Sequence, residues 1–216
     1  MTILSDQVVP TSDAYRANRA FMEDQLRRHD EQLAVVNGGG GPKYVERHRQ
    51  RDKLLARERV EALLDLESPF LELSPLAAWG TEFPVGAGLV TGIGLVEGTE
   101  CLIMANDPTV RGGTTNPMTM RKSLRAYEIA RQNRLPVVNL VESGGADLPT
   151  QLDLFVPAGR IFHELTELSA LAIPTVALVF GNSTAGGAYV PGMCDHAVLV
   201  DGEAKVCRGP VSECSA

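Results

Sequence analysis

Residues 136–147, PVVNLVESGGAD, and 174–188, PTVALVFGNSTAGGA, decide the fold. Each opens on a proline, runs through a few β-branched and aliphatic residues, and breaks into a turn of small residues. Short, nearly continuous apolar runs bounded in this way are strands buried between layers. In open α/β sheets ligands bind at strand ends, where the starts of helices present unpaired backbone amides. Two such turns in one chain predict a shared pocket.

Working outward, 86–107, GAGLVTGIGLVEGTECLIMAND, holds two β-rich runs joined at Glu97-Gly98 and predicts a hairpin. After it, helix-like and strand-like segments alternate. Helices are expected near 119–133, 159–171 and 183–193, and strands at 136–141, 174–180 and 197–200. This alternation predicts an α/β fold of ββα or βα crossover units.

Upstream, Ser12 and Asp13 cap a predicted amphipathic helix over 12–36, with Phe21, Met22, Leu26, Leu33 and Val36 among many charges. Gly38-Gly39-Gly40-Gly41-Pro42 ends it and reads as a linker, because the Gly-Lys-Ser/Thr ending of a phosphate loop is missing. From 44 to 65, Arg47, Arg49, Arg51, Lys53, Arg57 and Arg59 precede Val60, Leu63 and Leu64. That segment is either a solvated helix face or an anion-facing rim.

At 216 residues the chain has room for one sizeable core, since domains run to about 100 to 200 residues. A 44% hydrophobic, 22% charged composition is that of a globular protein rather than a disordered one. A net charge of −7 argues against a nucleic-acid partner. No run approaches the roughly 18 apolar residues of a membrane span, and the first residues lack a basic start followed by an apolar stretch. A cytoplasmic protein without a membrane partner is expected.

The chemistry-bearing residues narrow the classes further. Cys101, Cys194, Cys207 and Cys214 include no C-x2-C pair, so ordinary thiols and no metal site are expected. Ser143 and Ser183 lie outside any G-x-S-x-G elbow, which argues against a serine nucleophile. His29, His48, His163 and His196 are scattered and read as structural or solvent-facing. Asp107, Glu142, Asp147 and Asp153 fall near strand ends, and none is assigned as a general base. Arg121, Lys122 and Arg125 either meet phosphate groups of a nucleotide-like ligand or form a surface face.

Gly144, Gly145, Gly186 and Gly187 carry the sharpest reading. Without a Cβ their amides approach a substrate oxygen closely, as an oxyanion hole requires, with donors at about 2.7–3.1 Å from the developing charge. The same glycines would equally allow tight turns and close helix packing.

A family resemblance spans several motifs in order: RDKLLARERVEALLD at 51–65, SPFLEL at 68–73, VTGIGLVEG at 90–98, ANDPTVRGG at 105–113, LRAYEIARQNRLPVVNLVESGGADLPTQ at 124–151, GRIF at 159–162 and GNSTAGGAYVPGM at 181–193. The chain resembles the carboxyltransferase (beta) subunits of biotin-dependent acyl-CoA carboxylases over most of residues 12–206. The stretch SGGADLPTQLDLF is closer to the methylcrotonoyl-CoA type than to the propionyl-CoA type.

The resemblance implies a crotonase-like ββα superhelix and transfer of a carboxyl group from carboxybiotin to an acyl-CoA, with biotin itself taking the substrate proton. It implies that backbone amides of Gly144, Gly145, Ala146, Gly186 and Gly187 stabilise the thioester oxyanion. It places Arg111, Gly112, Gly113, Ser143, Thr184 and Ala185 at the acyl-CoA pocket. The implied partners are a biotin carboxylase/biotin carrier (alpha) subunit and further beta subunits.

Three segments are expected: an N-terminal helical extension with its glycine-rich linker (1–42), an incomplete carboxyltransferase domain (43–206), and an atypical tail (207–216). The tail departs from the glycine-proline continuation of the family and reads as a truncated or frameshifted terminus. Family members carry a second, similar half that supplies the biotin side, so the isolated chain is expected to bind CoA weakly and not to complete transfer. A stand-alone crotonase-type hydratase or isomerase, or an inactive subunit acting only in assembly, are the competing readings.

Overall fold

A computed structural model describes residues 8–207. Its centre is the hairpin of β2 (Leu89–Val96) and β3 (Thr99–Asn106), closed by Glu97 and Gly98 at φ 50° and 72°. Two successive left-handed residues match the right-handed twist of the flanking strands. Asp65 fixes the turn, its two carboxylate oxygens accepting from the Glu97 and Gly98 amides at 2.7 and 2.8 Å.

Strand β1 (Phe70–Glu72) pairs antiparallel with β2, and from β3 onward the sheet is parallel through β4 (Val137–Ser143), β5 (Thr175–Thr184) and β6 (His196–Leu199). A last strand, β7 (Lys205–Cys207), pairs with the far end of β5. Crossovers are made by α4 (Pro117–Asn133), α5 (Gln151–Ala170) and the short α6 (Tyr189–Met193). On the other side of the sheet lies α3 (Ala56–Leu63), and α2 (Pro42–Arg49) meets it through His48, whose Nε2 is 3.4 Å from Arg59 Nη2.

Strand pleating sorts the core into two layers. Val137 packs with Leu102, Met104, Tyr127, Leu165 and Leu168 under α4 and α5. Val138 and Leu140 face Ala56 and Val60 of α3. Burying each such aliphatic side chain stabilises the fold by about 1.5–3 kcal/mol.

Helix α1 (Asp13–Asn37) begins at Ser12, whose hydroxyl accepts from Tyr15 N at 3.2 Å, and it buries no residue. The glycine run joining it to α2 is docked, with Gly40 N donating to Thr109 Oγ1 at 2.9 Å. No helix among the described residues is long and apolar enough to cross a membrane.

Three expectations are corrected. Helix α5 starts at Gln151 rather than near residue 159 and carries Pro157 inside it, a position where the missing amide would normally end a helix. Ser183 and Thr184 belong to β5, and a 3-10 turn at Ala185–Ala188 comes before α6. Cys207 is disulfide-bonded rather than an ordinary thiol, whereas Cys101 and Cys194 are free. Residues 208–216 of the expected tail lie outside the described residues.

Candidate acyl-binding cleft

The two small-residue turns begin side by side. Ser143 and Ser183 are register partners across the parallel pair β4 and β5, so both turns leave the sheet at the same edge. Thr184 Oγ1 donates to Ser143 O at 3.1 Å, Ser183 Oγ to Gly187 O at 3.0 Å, and Gly145 N to Ser143 Oγ at 3.2 Å. Gly145 sits at φ 88°, where a Cβ would stand 3.0 Å from Thr184 O, so both its left-handed backbone and its close approach call for glycine.

Beneath the turns opens a cleft of about 130 Å³, partly open to solvent. Ser143, Gly145, Ala146, Gly186 and Gly187 form its polar rim. Its inner wall is apolar, built from Leu89, Met104, Met120, Leu154, Ile161 and Phe162 among others. At the floor Tyr127 Oη donates to Asn139 Oδ1 at 3.2 Å, and full burial holds the Tyr127 hydroxyl protonated far above its ordinary range. Among the described residues that line the cleft there is no Asp, Glu, His, Lys, Arg or Cys.

The amides named from sequence differ in their commitments. Gly144 N donates to Gly112 O at 3.0 Å, and Gly145 N serves the Ser143 hydroxyl. The Ala146 amide has no acceptor among the described residues. Gly112 and Gly113 back the first turn from outside the cleft, where a Cβ on Gly113 would collide with Glu142 O. Arg111 is half exposed with Nη1 3.5 Å from Asp147 Oδ1. Thr184 is buried against Ser143, and Ala185, exposed at φ 50°, does not line the cleft.

The charged groups near the strand ends serve structure. Glu142, on the face of β4 opposite Ser143, accepts from Lys53 Nζ at 2.9 Å and Arg59 Nη2 at 2.6 Å. Arg59 is 4% exposed and lies 4.6 Å over the Phe180 ring, so it belongs neither to a solvated face nor to an anion-facing rim. His48 is buried beside it. Lys122 is 5% exposed, with Nζ donating to Leu89 O at 2.6 Å and Gly86 O at 3.2 Å, and so does not meet a phosphate. Burial lowers its pKa to about 8. No group of three or more His, Cys, Asp or Glu among the described residues is placed to hold a metal ion.

Residues 47–210 match the model of the carboxyl transferase domain. The chain belongs to that family. This carboxyl transferase chain is 60% identical over 204 residues to a probable biotin-dependent acyl-coenzyme A carboxylase beta2 subunit of Mycobacterium tuberculosis, covering 94% of the chain and 39% of the relative. It is 46% identical over 213 residues to the mitochondrial methylcrotonoyl-CoA carboxylase beta chain of Dictyostelium discoideum, covering 96% of the chain and 36% of the relative. Among solved structures, the beta subunit of Pseudomonas aeruginosa geranyl-CoA carboxylase superposes with a TM-score of 0.85 at 39% identity, covering 99% of the chain and 41% of that subunit. The fold is the crotonase-like α/β fold of these beta subunits. The carboxyl transferase chain therefore spans less than half the length of these relatives.

Proposed function

We propose that the chain forms the acyl-CoA side of a carboxyltransferase in a biotin-dependent acyl-CoA carboxylase, with a methylcrotonoyl-like acyl group as substrate. One observation carries this: two small-residue turns from adjacent parallel strands meet on the rim of one apolar cleft. The acyl chain lies against Met104, Met120 and Phe162, and the thioester carbonyl lies at the rim. There the Ala146 amide, with those of Gly186 and Gly187, faces the oxygen on which negative charge develops. Preorganised amides aimed at the developing charge are the largest stabilisation available to an enolate.

A hydratase or isomerase requires a side chain within reach to move a proton. The uncharged lining disfavours that reading and supports an acceptor supplied from outside the cleft. Bound carboxybiotin supplies the carboxyl group and, on release of it, a proton acceptor. The cleft lining offers one apolar compartment and one amide rim, which fit an acyl thioester. We therefore assign no residue of this chain to the biotin ring. The methylcrotonoyl preference is supported by the Dictyostelium relative and by the SGGADLPTQLDLF stretch. An assembly with biotin-carrying subunits and further beta subunits is supported by the bare apolar stripe Leu148, Leu152, Phe155 and Val156, each at least 74% exposed.

Calorimetric titration with methylcrotonoyl-CoA, propionyl-CoA and free CoA tests the reading. Tighter binding of methylcrotonoyl-CoA than of free CoA is expected. Equal affinity for all three would overturn the acyl cleft.

A further inference from the structure

The glycine run before α2 presses on a loop that reaches the cleft rim. Gly40 N donates to Thr109 Oγ1 at 2.9 Å, and a Cβ on Gly40 would stand 1.8 Å from Thr109 O. Gly40 lies outside the left-handed region, so this close approach alone is what requires glycine there. Thr109 is 4% exposed, and its hydroxyl donates in turn to Asp107 Oδ1 at 2.5 Å.

The strained part of the loop follows directly. Arg111, Gly112 and Gly113 stand at φ 48°, 68° and 67°, a conformation that persists in a residue such as Arg111 only where its surroundings hold it. From there the loop clasps the first small-residue turn through backbone bonds. Gly144 N donates to Gly112 O at 3.0 Å, Thr115 N to Gly145 O at 2.8 Å and Asp147 N to Thr115 O at 2.8 Å. In a planar trans peptide the carbonyl and the amide point in opposite directions. With Gly145 O held by Thr115, the Ala146 N–H of the same peptide is turned away from Thr115. The amides on either side of it, those of Gly145 and Asp147, are already committed.

We propose that Gly40 and Thr109 are positioning residues that set the direction of the Ala146 amide, by seating the loop 107–115 that clasps its turn. Neither touches substrate. Through them the segment joining α1 to α2 acts on the rim of the cleft. The functional half of this inference rests on the reading of Ala146 as a donor to the thioester oxygen.

Gly40→Ala drives a methyl group into Thr109 O, and Thr109→Val removes the hydroxyl at nearly constant shape. The controls are Gly38→Ala, whose Cβ meets ordinary contacts at 3.4 Å and beyond, and Thr109→Ser, which keeps the hydroxyl. Amide hydrogen exchange is followed at Gly144 and at Val137, which donates to Pro174 O at 2.9 Å at the far end of β4. Relative to Val137, Gly144 should exchange about tenfold faster in Gly40→Ala and Thr109→Val, a local opening made easier by about 1.4 kcal/mol. Both controls should match the unsubstituted chain. Equal acceleration at the two amides is a general loss of stability and overturns the positioning role, as does no change at either. Should Gly40→Ala fail to fold, the comparison of Thr109→Val with Thr109→Ser decides alone.

Methylcrotonoyl-CoA affinity should fall on the order of tenfold in the same two variants, while free CoA affinity stays as it was. Faster Gly144 exchange with undiminished methylcrotonoyl-CoA binding overturns the link to the Ala146 amide. An exchange response in a chain that, unsubstituted, binds no acyl-CoA sinks the acyl-CoA reading and leaves the seating of the loop standing.

Discussion

Arg59 Nη2 donates to Glu142 Oε2 at 2.6 Å, on the side of β4 that faces away from the cleft. Lys53 holds the other carboxylate oxygen and also donates to Phe180 O at 2.7 Å, so one acidic side chain fastens α3 to the backs of both turn-bearing strands. Glu142→Gln leaves the buried Arg59 without a matching charge, while Lys53 keeps Glu203 at 3.4 Å. Breaking a buried pair from one side costs about 3–5 kcal/mol. A loss of that size in urea unfolding is expected, and a change below about 1 kcal/mol, the scale of a surface pair, would contradict the role.

The two turns separate folding from ligand binding. Gly145→Ala places a Cβ at φ 88° and 3.0 Å from Thr184 O, so a drop in stability of about 1–3 kcal/mol is expected with loss of acyl-CoA binding. Gly186→Ala meets nothing within 4 Å. Its stability should stay within about 1 kcal/mol of the original while its methyl group narrows the rim and lowers acyl-CoA affinity. Melting and calorimetry of the pair check this split, and intact binding in Gly186→Ala would remove the rim from the thioester site.

Lys122 gives the stability a defined slope with pH. Its folded pKa is lowered from 10.5 to about 8, so between these values the unfolded chain binds more protons than the folded one. Stability from this group therefore rises as pH increases from about 8 to 10.5, by up to about 3 kcal/mol. Burial raises the pKa of the Cys101 and Cys194 thiols, which opposes this at alkaline pH because the unfolded thiols ionise first. The difference in unfolding free energy between the original chain and Lys122→Met isolates the lysine. A difference that does not vary over pH 8 to 10.5 would exclude the depressed pKa.

Ala158 lines the inner cleft together with Leu154 and Phe162. Ala158→Phe fills that end without adding charge. Affinity for the longer methylcrotonoyl-CoA should fall about tenfold or more, while free CoA binding changes little. Parallel titrations with both ligands decide it, and an equal loss for both would place the acyl chain elsewhere.

The hairpin and both strand-to-turn units were legible because their signals are local: period-two runs, a Glu-Gly turn, and small residues directly after apolar strands. The first turn of α5 was not. Pro157 lacks the amide that a helix interior uses, yet it sits within the helix downstream of the exposed Leu152, Phe155 and Val156. Arg59 and Lys122 were misread for a different reason. A charge becomes buried through partners that lie far along the chain, Glu142 for one and the carbonyls of residues 86 and 89 for the other, and no local pattern announces them. The rim glycines were visible, but which amides stay unoccupied depends on Gly112 O and the Ser143 hydroxyl, and spacing does not show that.

Lys53 and Phe180 are 127 residues apart in the chain. During synthesis at about 5–20 residues per second, the amine therefore waits roughly 6–25 s after its own emergence before that acceptor exists. The basic segment leaves the ribosome long before the strands it fastens, so the back of the sheet is the last part of this contact to close. A nascent chain stalled between Asn106 and Glu142 would carry the complete hairpin sequence while Lys53 and Arg59 still lacked the carboxylate that joins them, so arrest of translation in that interval would yield an intermediate with the hairpin formed and its clasp still open.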